Sequence, residues 1–241
     1  MLAVITFLYR QPNDFILRGR QAYGPEHVNA LFRAVSANLS VPFRFVCVAE
    51  SPDGIECETV PSWPPITVSG NQGCYRRLKA FDGAFQRSLG DVILCLDLDT
   101  VILRDLTPLI TDDDFRIMRG SSDAGGMLSP YNGSMWLCRA GARERFWTEF
   151  TAERAARETA AMIMPNGRPV KGSDQAWISC IAKDEATYGA QDGVYQYWSV
   201  RGAAMPPNTR IVFFAGRRKP WDGAVKQECQ ELYMAWKTYE H

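Results

Sequence analysis

Two carboxylates two residues apart, Asp97 and Asp99, close the apolar run Val92-Ile93-Leu94-Cys95-Leu96. As a bare pattern Asp-x-Asp carries little weight: composition alone yields about one chance occurrence, and Asp112-Asp113-Asp114 supplies a second. Position separates the two. The apolar run reads as a buried central strand, so Asp97 and Asp99 emerge where open α/β sheets bind ligands. The 112–114 run precedes Phe115 in a polar loop and reads as a solvated turn. Two hard oxygen ligands at a strand end suit Mg²⁺ or Mn²⁺, which bridge one or two protein carboxylates to substrate phosphates. Such a cation is a Lewis acid. With a nucleoside diphosphate sugar as substrate, it would stabilise the charge that gathers on the departing diphosphate as the glycosidic bond breaks. The chemistry this predicts is glycosyl transfer. The alternative is a pair of strand-end carboxylates satisfied by backbone amides, since charge near a core is costly unless paired.

Other residues have types that suit the same chemistry. Lys219, beside Gly216 and Pro220, is placed to bring a point charge to a diphosphate, and Trp221 either shapes a pocket or belongs to the core. Arg77 offers a fork of donors that matches anionic oxygens, whereas Arg76 and Lys79 read as a solvated helix face. Asn132, between Pro130 and Gly133, is either a sugar ligand or a turn residue. Asp174, at the expected start of a helix, is either an N-terminal carboxylate favoured by the helix dipole or a sugar-binding or base residue. Tyr9, at the end of the first strand, can stack on a nucleotide base, with Thr6 and Glu50 as weaker candidates at neighbouring strand ends.

The elements that must position these groups alternate. Leu2 to Tyr9 reads as a strand covered on both faces, and Pro25 opens a helix through Val28, Leu31, Phe32 and Val35. Phe43 to Ala49 reads as a second strand and Ile55 to Val60 as a short third, with loop at 63–65 and 69–73. From Tyr75 a helix is expected through Leu78, Phe81, Ala84, Phe85 and Leu89, ended by Gly90. Beyond the Val92 to Leu96 strand, Phe115 to Met118, Met135 to Cys138 and Ile211 to Phe214 read as strands. Ala142 to Met164 reads as one long helix ended at Asn166-Gly167, and Gly172 to Ile181 as another. Strand–helix alternation with right-handed crossovers predicts an α/β fold, an open, mostly parallel sheet flanked by helices.

Composition narrows the setting. The 241 residues are 46% hydrophobic with 27 basic and 27 acidic side chains, which excludes disorder and favours a single domain over 1–241. Zero net charge gives no electrostatic reason to expect nucleic acid as a partner. No apolar run approaches the roughly 20 residues of a membrane span. The residues MLAVITFLYR lack a preceding basic segment and a following small-residue cleavage site, so they read as strand rather than signal peptide. Seven widely spaced cysteines without a CxxC, several inside apolar runs, suit a reducing compartment, so a soluble cytoplasmic protein is expected. With His27 and His241 as the only histidines, a His-rich zinc site is not available.

Several segments, in order, resemble the metal-dependent GT-A glycosyltransferases, particularly the family 8 group that contains glycogenin and bacterial lipopolysaccharide galactosyltransferases. Arg77-Leu78-Lys79 is similar to that group's Arg-Leu signature and Leu96-Asp97-Leu98-Asp99-Thr100-Val101 to its metal motif. Tyr131-Asn132-Gly133-Ser134-Met135 is similar to its Asn-bearing strand entry, and Ser173-Asp174-Gln175 to its Asp-Gln pair. Gly216-Arg217-Arg218-Lys219-Pro220-Trp221 is similar to its C-terminal Gly-x-x-Lys-Pro-Trp. The resemblance implies a Rossmann-like GT-A domain with Mn²⁺ or Mg²⁺ on Asp97 and Asp99. It implies donor contacts from Arg77, Asp97, Leu98, Asn132, Gly216 and Lys219, beside the strand-end candidates Thr6 and Tyr9, and catalytic roles for Asp174 and Gln175. It further implies a nucleoside diphosphate sugar donor, with UDP favoured, a glycan or other hydroxyl acceptor, and retention of configuration. One departure stands out. Where the group usually carries a metal-ligating histidine shortly before the glycine, this chain reads Phe213-Phe214-Ala215-Gly216.

Two rivals remain. A hydrophobic strand followed by Asp-x-Asp-x-Val also describes the nucleophile and acid of haloacid-dehalogenase-like phosphotransferases, with Asp97 attacking phosphorus. That motif normally sits on the first strand of its domain, and here two or three strand candidates precede it. The missing histidine also allows a non-catalytic sugar or nucleotide binding protein that kept the fold.

Overall fold

The β-branched and aromatic run at the start of the chain forms a strand with its first five residues buried, as a strand covered on both faces requires. The computed structural model describes residues 1–9, 23–69, 74–120, 130–160 and 173–240. Among them lie strands β1 (Leu2–Leu8), β2 (Phe43–Ala49), β3 (Glu58–Pro61), β4 (Val92–Leu96), β5 (Thr100–Ile102), β6 (Phe115–Arg119), β7 (Tyr131–Arg139), β8 (Ala186–Tyr188), β9 (Val194–Gln196) and β10 (Ile211–Phe213). Seven of these form a sheet in the order β3-β2-β1-β4-β7-β6-β8, and β5-β10-β9 form a second. The mixed, mostly parallel sheet flanked by helices is the α/β arrangement expected, with β4 in the middle.

The chain divides into two compact units, each assembled from separate stretches. Unit 1 takes residues 1–3, 63–94 and 112–188. Unit 2 takes 4–62, 95–111 and 189–241.

In unit 1 the core is aromatic: Phe81 lies 4.6 Å from Trp136 and 5.1 Å from Phe146 between ring centroids, and the Trp177 indole donates to the Phe146 carbonyl at 2.8 Å. β6 runs antiparallel to β7 and parallel to β8. The β6–β7 ladder jumps between Ile117 opposite Trp136 and Met118 opposite Asn132, so Gly133, Ser134 and Met135 bulge out of register with β6.

Both long-helix expectations in this unit need correction. The segment from Tyr75 is a 3₁₀ helix over Tyr75–Phe81, followed by a separate α-helix over Gly83–Leu89. Asp82 divides them: its carboxylate accepts the Phe85 N–H at 2.9 Å, the capping that starts a new helix. Gly90 does end the second helix, and a Cβ there would stand 2.5 Å from the Met1 carbonyl oxygen. The expected helix from Ala142 is likewise two, Arg145–Thr148 and Ala152–Ala160, with Thr151 Oγ1 accepting the Arg154 N–H at 3.1 Å. Its remainder, the Asn166-Gly167 stop, the 70–73 loop and Gly172 lie outside the described residues. Ser173 caps the next helix, Asp174–Ile181. Arg76 is buried, contrary to the solvated face expected of it, while Lys79 is half-buried with its ammonium 5.8 Å from the Trp147 ring centre. Asp112 and Asp114 are exposed and face Arg139, as a solvated turn should.

In unit 2, β2 and β3 are parallel, with Val46 opposite Glu58. β10 pairs antiparallel with β5 (Val212 opposite Val101) and parallel with β9 (Val212 opposite Tyr195). Val101, Val212, Tyr197, Phe214, Leu232 and Trp236 make one buried cluster over this small sheet. β5, β8 and β9 are three residues each, too short for the period-2 signal that identifies strands in sequence.

Gly193, the residue before β9, has φ +77°, and a Cβ there would collide with the Asn208 carbonyl oxygen. Gly202 has φ +69° but open space around it. Gly193→Ala should therefore cost about 2 kcal/mol or more, from strain plus overlap, and Gly202→Ala only about 1 kcal/mol from strain. The difference is read from denaturant midpoints of the two variants at unchanged slope.

Candidate active site

The antiparallel pairing of β5 with β10 carries past the end of the ladder. Asp99, just before β5, accepts on its carbonyl the N–H of Phe214, just after β10, at 3.0 Å. The acidic turn that follows β4 is thus fixed beside the segment Phe214–Trp221. Within that turn Thr100 Oγ1 donates to the Asp97 carbonyl at 2.6 Å. In the facing segment Gly216 has φ +82° with nothing near its Cβ position, so its glycine serves a left-handed turn rather than close approach of another chain segment. Lys219 is held at its backbone: its N–H donates to Asp222 Oδ2 at 2.9 Å, and Asp222 N–H returns to the Lys219 carbonyl at 3.0 Å.

These constraints bury the side chain of Lys219, at 2% exposure, with its ammonium donating to Asp99 Oδ2; Asp99 is itself 7% exposed. The same carboxylate oxygen accepts the hydroxyl proton of Tyr23 at 2.9 Å, and the Tyr23 ring centre lies 5.3 Å from the Lys219 nitrogen. Tyr23 was not legible as a site residue, because an isolated tyrosine before Gly24-Pro25 carries no pattern. Behind it an aromatic wall is continuous: Trp221 lies 6.0 Å from Tyr23, 4.0 Å from the His27 ring and 5.2 Å from Trp236.

His27 belongs to the helix Pro25–Asn38 and closes its N-terminus, its Nδ1 accepting the Gly24 N–H at 2.9 Å. Burial holds its pKa below the ordinary 6.5, against the opposing pull of Glu26.

The remaining unit 2 candidates are placed as follows. Thr6 is fully buried with its hydroxyl donating to the Leu96 carbonyl at 2.8 Å, a task in the sheet rather than contact with a base. Tyr9 follows β1 and is half-buried, Glu50 follows β2 and is exposed, and Leu98 is buried.

Unit 1 holds the other candidates as a second cluster. Asp174 opens its helix behind the Ser173 cap and is buried, with Arg77 Nε 3.5 Å from its carboxylate. Burial raises the Asp174 pKa and Arg77 opposes the rise. Arg77 also donates to the Gly133 carbonyl at 2.9 Å, and Gly133 N–H donates to Gln175 Oε1 at 3.3 Å. These Gly133 groups are within reach because the β7 bulge takes them out of the β6 ladder. Asn132 is buried and accepts the Ser134 N–H on its side chain at 2.8 Å, a local turn bond.

Asp97 and Asp99 supply two hard oxygen groups for a divalent cation. Phe213, Phe214 and Ala215, before Gly216, offer no third ligand, and among the described residues no group of three His, Cys, Asp or Glu side chains gathers. Such a pair fits a cation only as a partial shell that substrate phosphate and water complete.

No family model matches the chain, and no curated protein matches it in sequence. Solved structures do match in shape. The galactosyltransferase LgtC, in complex with donor and acceptor sugar analogs, superposes with a TM-score of 0.59 over 98% of this chain and 96% of its own, at 13% identity. The glycosyltransferase GlyE of Streptococcus pneumoniae TIGR4 gives 0.56 over 99% of this chain and 63% of its own, also at 13% identity. The bifunctional glycosyltransferase WbbM gives 0.56 over 99% and 50%, at 11% identity.

Neutral His27 is favoured by the fold, so its folded pKa lies below its unfolded value of 6.5. The associated stability is fully present above pH 6.5 and is lost as pH falls through 6.5 toward the folded pKa. His27→Gln, which keeps an acceptor for Gly24 N–H, should flatten the decline in melting temperature between pH 6.5 and lower pH relative to the wild type. Parallel wild-type and variant melts across that range would count against this account. With β4 at the sheet centre, the acidic turn at its carboxyl end and shape agreement over nearly its whole length, the chain has the fold of the GT-A glycosyltransferases.

Proposed function

We propose that the protein is a glycosyltransferase that moves a hexosyl group from a nucleoside diphosphate sugar, with UDP as the favoured nucleotide, to a glycan or other hydroxyl acceptor. The observation that carries this reading is the buried Lys219 seated against Asp99 at the carboxyl end of the central strand, in a chain with this fold. LgtC was solved with donor and acceptor sugar analogs and acts as a galactosyltransferase, which supports a donor of the same chemical class here.

Lys219 brings a compact positive charge to the departing diphosphate, and burial makes that charge worth more than it would be in water. Asp97 and Asp99 are assigned to Mn²⁺ or Mg²⁺, which when bound supplies Lewis-acid charge to the same leaving group. Tyr23, backed by Trp221, covers one side of the ammonium. Asp174 and Gln175 are assigned to the sugar and acceptor, with Arg77 fixing the Asp174 carboxylate or meeting phosphate. An active-site glutamine of LgtC has been changed to glutamate, which supports assigning a site role to Gln175. Retention, with a leaving phosphate oxygen taking the acceptor proton, is favoured over inversion with Asp174 as base, because Arg77 already occupies that carboxylate. Buried, unpaired thiols such as Cys47 and Cys138, both pushed up to about 12 by burial, support a cytoplasmic location. No described helix is long and apolar enough to cross a membrane.

The phosphotransferase reading is disfavoured by chain order, because among the described residues β4 is preceded by three strands. Incubation with Mn²⁺ and individual nucleoside diphosphate sugars, beside a generic phosphate ester, separates the readings. Slow nucleotide release from one donor is expected, reduced by about a hundredfold or more in Asp99→Asn. Cleavage of the ester instead would establish phosphatase chemistry, and saturable donor binding without turnover would establish a binding protein.

A further inference from the structure

Lys219 has been assigned to the diphosphate, yet in the structure its ammonium is spent on Asp99, one of the two carboxylates assigned to the cation. The two assignments compete for the same oxygen. Asp99 Oδ2 already receives the Lys219 ammonium and the Tyr23 hydroxyl, and an ammonium and a divalent cation on one carboxylate oxygen repel each other strongly in a buried site. Lys219 is nearly inaccessible, so leaving Asp99 is costly unless a partner of equal negative charge receives it. The diphosphate is such a partner. Tyr23 donates to the carboxylate whether or not the lysine is there, so it keeps Asp99 oriented while the charges exchange.

We infer that Lys219 and the divalent cation exclude one another from Asp99 Oδ2: the ammonium occupies the site in the metal-free protein, is displaced by the cation alone only at saturation, and passes to the diphosphate when nucleotide enters with the cation. This rests on the transferase reading for the identity of the anion, and it adds an order of loading. Tyr23 becomes a positioning residue of the site. Coupling is reciprocal, so whatever the nucleotide contributes by drawing Lys219 away, the cation contributes equally to nucleotide affinity.

The test reads Mn²⁺ affinity of the full chain without nucleotide, by calorimetry or by the free-Mn²⁺ resonance signal. Lys219→Met and Lys219→Gln should each bind Mn²⁺ about tenfold or more tightly than the wild type, because the competent fraction of Asp99 rises when its internal counter-ion is gone. Tyr23→Phe, which leaves the ammonium in place, should not tighten binding. Lys219 variants that bind Mn²⁺ no better than wild type overturn the inference. Should neither variant fold, the wild type decides alone: amine acylation followed by mass spectrometry should find Lys219 protected without metal and reactive at saturating Mn²⁺. Unchanged protection in the saturated protein overturns the inference. Tighter Mn²⁺ binding in a protein that releases no nucleotide would refute the transferase reading and leave the exclusion standing. Nucleotide release without tightening would do the reverse.

Discussion

A lysine ammonium out of reach of water is the constraint around which the second unit is arranged. Removing such a charge from solvent costs several kcal/mol even after relaxation, and the cost is recovered only where a counter-ion and hydrogen bonds are held in good geometry. Each neighbouring feature meets part of that demand. The β5–β10 register aligns Phe214 with Asp99, the Asp222 turn fixes the Lys219 backbone, and Tyr23 completes the carboxylate's coordination. The wall of Trp221, His27 and Trp236 then excludes the solvent that would weaken the pair. A surface salt bridge would need none of this and would contribute little. Breaking the pair from either side would leave an uncompensated buried charge, so Lys219 and Asp99 hold each other in place.

Much of the architecture was legible because it rests on runs long enough to show a period. β1, β2 and β4 and the helix at Pro25 follow from apolar patterning and from Pro and Gly chemistry. What failed was continuity. An apolar face carried through Tyr75 to Leu89 looks like one helix, but Asp82 before Gly83 begins a second, and Thr151 does the same before Ala152. A side chain that caps competes with the pattern that runs through it. Arg76 escaped for a related reason: sequence assigns arginine to solvent, and its burial depends on tertiary packing. Of the candidate site, the acidic pair and Lys219 were readable as types suited to one chemistry. Their direct contact spans 120 positions and depends on a three-residue strand too short to be recognised, and Tyr23 enters only through it.

The irregular stretch of β7 has an implication of its own. Its ladder with β6 is intact on both sides of the jump, Phe115 to Ile117 against Trp136 to Cys138 and Met118 to Arg119 against Tyr131 and Asn132. Between those clamps the main chain is released from β6, and it is there that Arg77 and Gln175 take hold of Gly133. Adding or deleting a residue in an ordinary strand flips every later side chain to the opposite face. In this stretch a change of length would leave the β6 pairing of either clamp in place, altering which amide the helix-borne glutamine meets. The surroundings of Asp174 therefore carry a slack toward β6 that the acidic turn lacks, because Thr100 enters its ladder with β10 directly.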